Sequence, residues 1–382
     1  MKIGIISSMA ASPWGGSEEL WVAIARSALE AGHGVAVSVY DWGALPFKIA
    51  ELKDTGVSIH KRSRISYGDV KGKIKGLIIK KIFAIRQLNA FISSEAPDIL
   101  VLNTGAFCDL EIDAVRTFLL KINIPFFIVV HSNTDTYTLA YHKLDEVRSV
   151  CKKAQKVFFV SERLRQQAER QIAYSFDNSE IVKNPVNMDQ VGVIPYKERP
   201  IVQMACVGYI QVAVKGQAML LQLLSSDKWK ERTWQLNIYG KGPDESLLVE
   251  LIKFYGLQEK VFLKGYAKNI REEIWSENDV LLMPSYIEGM PISLIEAMLC
   301  GRTAVVTDVG GNREVIDDGV NGFIAESPSI YSFDKKMEEA WIKKNDWKQM
   351  GEIAFEKANS VFSLKNSFSL LSKMLIKLPA NE

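Results

Sequence analysis

Short, β-branched apolar runs alternate along this chain with longer stretches in which apolar residues recur every three or four positions. The first half carries KIGIIS, GVAVSVY, DILVLN, PFFIVVH and KVFFVS, with the amphipathic ELWVAIARSALEAG between the first two. Runs that are apolar throughout, rather than at every second position, predict parallel strands covered on both faces by crossover helices. The rhythm pauses at KNPVNMDQVGVIPYKERP, rich in Pro, Asn and Gly, and resumes with IVQMACVG, WQLNIYG, KVFLKG, DVLLMP and TAVVTD. The pattern predicts an α/β protein of two doubly wound halves joined near residues 184 to 200. As domains, these are 1–190 and 191–360, followed by a segment, 361–382, whose SFSLLSKMLIKL is an amphipathic helix that could pack back on the first half.

Composition narrows the partners more than the fold. A chain of 382 residues is long for one core, which agrees with two domains. The net charge of +2 is too small to imply nucleic-acid binding from bulk charge. Four scattered cysteines, without a C-x-x-C pair, suggest neither a zinc site nor a disulfide framework and fit a reducing cytosol. The start, MKIGIISSMAA, enters a strand without a basic leader, and no stretch approaches the ~18 apolar residues of a spanning helix. The expectation is a cytoplasmic protein.

The densest chemistry lies in PSYIEGMPISLIEAMLCG, residues 284–301, directly after the apolar DVLLMP. Pro291 suits the first helical position, where its missing N–H costs nothing, and Gly301 suits the position just past the helix end. The amides around Gly289, Met290 and Ile292 would then be open at the carboxyl end of a parallel strand, where such sheets bind anions. Glu288 lies before the helix and Glu296 inside it, so the two carboxylates flank an anion site rather than form a close catalytic pair. A ligand with a central pyrophosphate and a polyol at each end, such as a nucleotide sugar, matches that spacing.

These residues resemble the retaining glycosyltransferases of family 4, also called group 1. KGQAMLLQLL, LNIYGKGPDESLL, VFLKG and PSYIEGMPISLIEAMLCGRTAVVTDVGGNREVIDDGVNGFIAE follow the family's order, as do GGSEELWVAIARSALEAGHGVAV, PDILVLN, VVHSN, VFFVSERLR and VKNPVN in the first half. The resemblance implies the GT-B fold, two facing Rossmann-like domains with an interdomain cleft. It also implies an activity: transfer of a sugar, with retention, from a UDP- or GDP-sugar to a glycan or lipid-linked acceptor in surface polysaccharide assembly. Carried over by position, Glu296 resembles the glutamate on the donor ribose, and Glu288 the one at the donor sugar near the reacting carbon. Lys215 resembles the lysine on the diphosphate. Gly16 resembles the glycine that lets phosphate and acceptor approach, and His131 the histidine facing the transferred sugar. Main-chain contacts to the base would fall around Tyr266 and Ala267. One departure stands out: Tyr209 occupies the place of an arginine that usually joins the lysine, replacing a bidentate cation with a single neutral donor.

Lys215 and open helix amides would stabilise a diphosphate leaving group electrostatically, so no metal or other cofactor is expected. The sequence has no D-x-D, and Asp109, Glu111 and Asp113 in CDLEID read as a solvated helix face rather than a cation site. Gly240 and Gly242 in YGKGPD do not complete G-x-G-x-x-G, which disfavours NAD. Between Lys61 and Arg86 stand nine basic residues and one acid, Asp69, interleaved with Ile74, Leu77, Ile78, Ile82 and Phe83. This stretch is either a core-facing helix with solvated lysines or a docking surface for anionic lipid at the membrane's inner face. Two other readings remain: a nucleotide-sugar epimerase of the same fold, or an accessory protein that binds without transfer, which Tyr209 favours.

Overall fold

The computed structural model describes residues 1–10, 12–64, 74–186, 188 and 190–362, without the side chains of 74–78. Residues 65–73 of the basic stretch and most of the segment 361–382 therefore lie outside the described residues. The chain divides between Pro185 and Val186 into two compact units.

In the first unit seven strands, all paired in parallel, run in the order β3-β2-β1-β4-β5-β6-β7. They are β1 (Lys2–Ser7), β2 (Gly34–Tyr40), β3 (Ser58–Arg62), β4 (Ile99–Thr104), β5 (Phe126–Val130), β6 (Lys156–Phe159) and β7 (Ser179–Ile181). Ile5 is in register with Val37 on one side and Val101 on the other. Every residue of β4 and β5 is buried, as the apolar runs ILVL and FFIVV require. Burying each such Val, Ile, Leu or Phe is worth about 1.5–3 kcal/mol relative to exposure. The helix Gly16–Glu30 lays Leu20, Trp21, Ile24, Ala25 and Ala28, spaced by one turn, against this sheet.

The second unit repeats the order with six parallel strands, β10-β9-β8-β11-β12-β13. These are β8 (Val202–Val207), β9 (Trp234–Tyr239), β10 (Val261–Gly265), β11 (Val280–Met283), β12 (Thr303–Thr307) and β13 (Phe323–Ala325). Met204 pairs with Leu236 and Val280, as Ile5 does with its two neighbours. One face packs Met204, Cys206, Leu236 and Ile238 against Leu220 and Leu224 of the helix Gln217–Leu224 and Phe333 and Met337 of Ile330–Ile342. In both units the strand order reverses beside the first strand, between β1 and β4 and between β8 and β11. Open α/β sheets bind ligands at that point, beyond the carboxyl ends of the strands.

The helix Ile292–Leu299 ends as its sequence anticipates and begins one residue late. Gly301, at φ +72°, follows the C-cap Cys300; its amide donates to Met298 O (2.9 Å) and that of Arg302 to Ala297 O (2.9 Å), closing both last-turn carbonyls. Pro291, expected as the first helical residue, is instead the N-cap in extended conformation (ψ 120°), so its fixed φ sets the entry of the chain. Arg302 is fully buried and donates to the carbonyls of Trp275, Asn278 and Ile194, with its guanidinium over the Tyr196 ring at 4.4 Å. It thereby fastens the Pro-rich segment that opens the second unit.

All four cysteines are free; Cys151, Cys206 and Cys300 are buried and Cys108 is half-buried. Burial pushes the three buried thiols up to about 12, and burial beside Asp109 and Glu111 pushes Cys108 up to about 11.

Candidate functional site

At the reversal point of the second unit, the loop after β8 meets the loop after β11. Lys215, ending a single helical turn (Val212–Lys215), donates from Nζ to Glu288 Oε1 at 2.7 Å. The Ser285 hydroxyl donates to the same oxygen at 2.6 Å, and Thr307 Oγ1 of β12 donates to the Ser285 carbonyl at 2.6 Å. The amides of Tyr286 and Ile287 reach back to Val214 O at 2.8 and 3.3 Å, so each loop braces the other. Gly216 is in the left-handed region (φ +69°), and a Cβ there would collide with the Pro284 carbonyl. Only glycine lets the Lys215 turn lie this close to β11. Gly310 is constrained in the same way against the carbonyls of Glu288 and Gly289.

Beyond Glu288 the chain enters the helix Ile292–Leu299. The amides of Gly289 and Ile292 have no backbone acceptor among the described residues, and Gly289 O accepts from Gly311 N at 2.6 Å. Met290 is buried as a residue. Glu296, on the second turn, is also buried, at 5 % exposure, not the half-solvated residue an isolated helix glutamate would be. Lys215, Glu288, Gly289 and Ile292 thus converge on one region, a cation with two free N–H donors beside open helix amides. Such an arrangement holds a doubly charged anion by preorganised dipoles and charge.

Tyr209 follows β8, with its carbonyl accepting from Gln217 Nε2 at 3.0 Å. Burial, with the Tyr266 hydroxyl and Asp244 nearby, pushes its phenol up, so it stays a neutral donor. Tyr266 and Ala267, after β10, line an open cavity of about 510 Å³. Gln203, Gln235, Asn237 and Tyr239 from the sheet line the same cavity.

The first unit fills its reversal point differently. Gly16 opens the helix Gly16–Glu30, with Gly15 as its extended N-cap. In the first turn Glu18 is buried and accepts from Ser7 Oγ (2.7 Å) and Ser17 Oγ (3.0 Å); burial pushes its carboxyl up. Asn103, ending β4, donates from Nδ2 to Ser17 O at 3.3 Å and meets His131 Nε2 with Oδ1 at 2.8 Å. That contact places the imidazole proton on Nε2. Burial pulls His131 down to about 3, and its Nδ1 is buried without a partner among the described residues.

The CDLEID carboxylates are not a solvated face. Asp109 Oδ2 accepts from Ser8 Oγ (2.6 Å) and from the amides of Gly105 (2.8 Å) and Ala106 (3.3 Å). Glu111 accepts from Tyr137 Oη and, at 2.5 Å, from Ala140 N. Only Asp113 is a surface group, paired with Arg116 at 2.6 Å. Among the described residues no group of three His, Cys, Asp or Glu side chains could hold a metal ion.

In the basic stretch, the helix Ile74–Glu95 buries Leu88 and Phe91 in its later turns. Ile79 (65 %), Ile82 (46 %) and Phe83 (50 %) are exposed, so Ile82 and Phe83 do not face the core. No helix among the described residues is long and apolar enough to cross a membrane.

Ser285, Thr307, Glu18 and Asn103 were not singled out by sequence, and Asp109 was read as solvent-facing. Asn103 had a signal, an amide closing the apolar run DILVLN. Ser285 donates to Glu288, three positions on, a contact that the spacing within PSYIEG allows but does not single out.

Two Rossmann-like domains, each with its polar cluster at the strand-order reversal, define a GT-B protein. Residues 14–190 match the family described as Glycosyltransferase Family 4, and residues 203–357 match Glycosyl transferases group 1. The chain belongs to the group 1 glycosyltransferases. It is 35% identical over 109 residues to the GtfA subunit of the UDP-N-acetylglucosamine--peptide N-acetylglucosaminyltransferase of Streptococcus pneumoniae, covering 28% of this chain and 21% of that protein. It is 27% identical over 158 residues to the lipopolysaccharide 1,6-galactosyltransferase of Salmonella typhimurium, covering 40% of this chain and 43% of that one. The chain thus matches less than half the length of these curated relatives. Its fold is that of the Anabaena protein Alr3699/HepE, solved in complex with UDP: TM-score 0.70 at 15% identity, covering 99% of this chain and 100% of that one.

Proposed function

We propose that this chain transfers a sugar, with retention of configuration, from a UDP- or GDP-sugar to a glycan or lipid-linked acceptor in surface polysaccharide assembly. The observation that carries the proposal is the convergence of Lys215, Glu288 and the open amides of Gly289 and Ile292 at the reversal point of the second unit. Breaking a sugar–diphosphate bond puts negative charge on the leaving group, and a cation beside helix amides stabilises that charge. Lys215 takes the diphosphate, Glu296 the ribose, Glu288 the donor sugar, and the Tyr266–Ala267 main chain the base. Gly16 and His131 belong to the sugar and acceptor side, and no metal takes part. The polysaccharide assignment draws on the lipopolysaccharide acceptor named for the Salmonella relative.

The test is isothermal titration with UDP, GDP and ADP, followed by incubation with sugars of the base that binds and mass detection of products on extracted surface glycans. Binding of one base, transfer, and an unchanged anomeric configuration by NMR are expected. Nucleotide binding without transfer or donor hydrolysis would favour the second reading, an accessory protein, whose supporting observation is Tyr209 in the arginine's place.

Lipid docking completes the proposal. Exposed Ile79, Ile82 and Phe83 share one helix face with exposed Arg86, an apolar strip carrying a basic residue, suited to the headgroup boundary of an anionic membrane. Flotation with phosphatidylglycerol vesicles is expected, reduced by Ile82→Ser and Phe83→Ser. A wild-type protein that stays at the bottom of the gradient removes this part of the proposal.

A further inference from the structure

Both partners of Glu288 meet it at one oxygen. Lys215 Nζ and Ser285 Oγ lie 2.7 and 2.6 Å from Oε1. They differ in what they can do next. Ser285 is 1 % exposed and pinned through its carbonyl by Thr307, so its hydroxyl stays where it is. Lys215 ends in an ammonium on a flexible four-carbon stem with a quarter of its side chain exposed, and it can turn to another anion.

We infer that Glu288 is a built-in competitor for Lys215. Without donor, the carboxylate holds the ammonium; an arriving diphosphate draws the ammonium over; as the nucleoside diphosphate leaves, the ion pair re-forms. The inference rests on the reading of Lys215 as the diphosphate ligand. Its physical basis is that a carboxylate this buried is costly to leave unpaired. Glu288 therefore opposes the exchange, and the diphosphate is held less tightly than Lys215 alone would hold it. Ser285 limits the penalty by keeping one hydrogen bond on the carboxylate throughout. The consequence is faster product release, a step that limits turnover in many enzymes. Glu288 thus has two duties, contact with the donor sugar before transfer and recapture of Lys215 after it.

The test is titration of UDP, GDP and ADP into the full chain and into Glu288→Gln, Lys215→Met and the double variant. Glutamine keeps the size of the side chain and can still accept from Ser285, but it carries no charge to compete. The nucleotide that binds wild type should bind Glu288→Gln about three- to tenfold more tightly. In the Lys215→Met background the same change should alter affinity by less than about twofold, since nothing is left to compete for. If Glu288→Gln binds equally or more weakly while wild type binds well, the competitor is wrong and the donor reading stands. Equal tightening in both backgrounds would also overturn it, by showing a general charge effect. If wild type and all variants bind no nucleotide, the donor reading itself fails. Should Glu288→Gln not fold, Glu288→Asp, too short to reach both partners, is expected to tighten binding by a smaller factor.

Discussion

Between β1 and β4 in the first unit, Ser8 donates to Asp109 and Ser7 to Glu18, both carboxyls pushed up by burial, and among the described residues no cation pairs with either carboxyl. Between β8 and β11 in the second, a lysine with free donors meets a carboxylate beside open helix amides. The strand order is the same and the filling is opposite. Topology determines where a ligand can bind, but the side chains there determine which charge is accepted. A largely satisfied network of hydroxyls and buried carboxyls suits hydroxyl-bearing ligands and a rigid loop, whereas an exchangeable ion pair suits a diphosphate.

The sharpest way to break this contrast is to remove its cation. Lys215→Ala should lower kcat/KM for transfer by about 10²–10³-fold, the usual cost of deleting one preorganised electrostatic donor. A steady-state assay that finds less than a tenfold loss would move the diphosphate away from Lys215.

Acid tests the other unit. His131 is held at about 3 when folded against an ordinary 6.5, so it contributes stability that is fully present above pH 6.5 and is lost as pH falls toward 3. Between those limits this one group gives a slope of about 1.4 kcal/mol per pH unit. Glu18 has the opposite sign: its raised carboxyl contributes stability at low pH that is lost as pH rises through the folded value. Urea titrations of wild type and His131→Gln from pH 7 to 4 separate the two, and the variant should show the shallower acid loss.

A smaller effect is expected from Asp109→Ala, which strands the Gly105 and Ala106 amides and the Ser8 hydroxyl at a cost of about 1–3 kcal/mol. Nucleotide affinity, measured in parallel, should not change; a drop would mean that the two units are not separable in function. The smallest effect is on metal dependence. On the proposed role of Lys215 and the helix amides at the leaving group, transfer should survive EDTA within about twofold.

The strands were legible because helices on both faces demand unbroken apolar runs, and DILVLN, PFFIVV and DVLLMP are such runs. The end of the helix Ile292–Leu299 was legible from Gly301, whose left-handed φ needs glycine. What escaped was pairing across the sheet. Asp109 is satisfied by Ser8 from the far end of β1, 101 positions away. CDLEID therefore looked like alternating solvent-facing acids although two of them are internal acceptors. The same limit hid the contact between Lys215 and Glu288, whose positions were legible one by one while their exchange was not.

The cysteines have a practical consequence for following that exchange. Three are inaccessible, and Cys108 has its thiol pushed up to about 11, so almost no thiolate exists at neutral pH for a maleimide to attack. A single cysteine introduced on an exposed surface should therefore carry a fluorescent reporter selectively, with the four native thiols left in place.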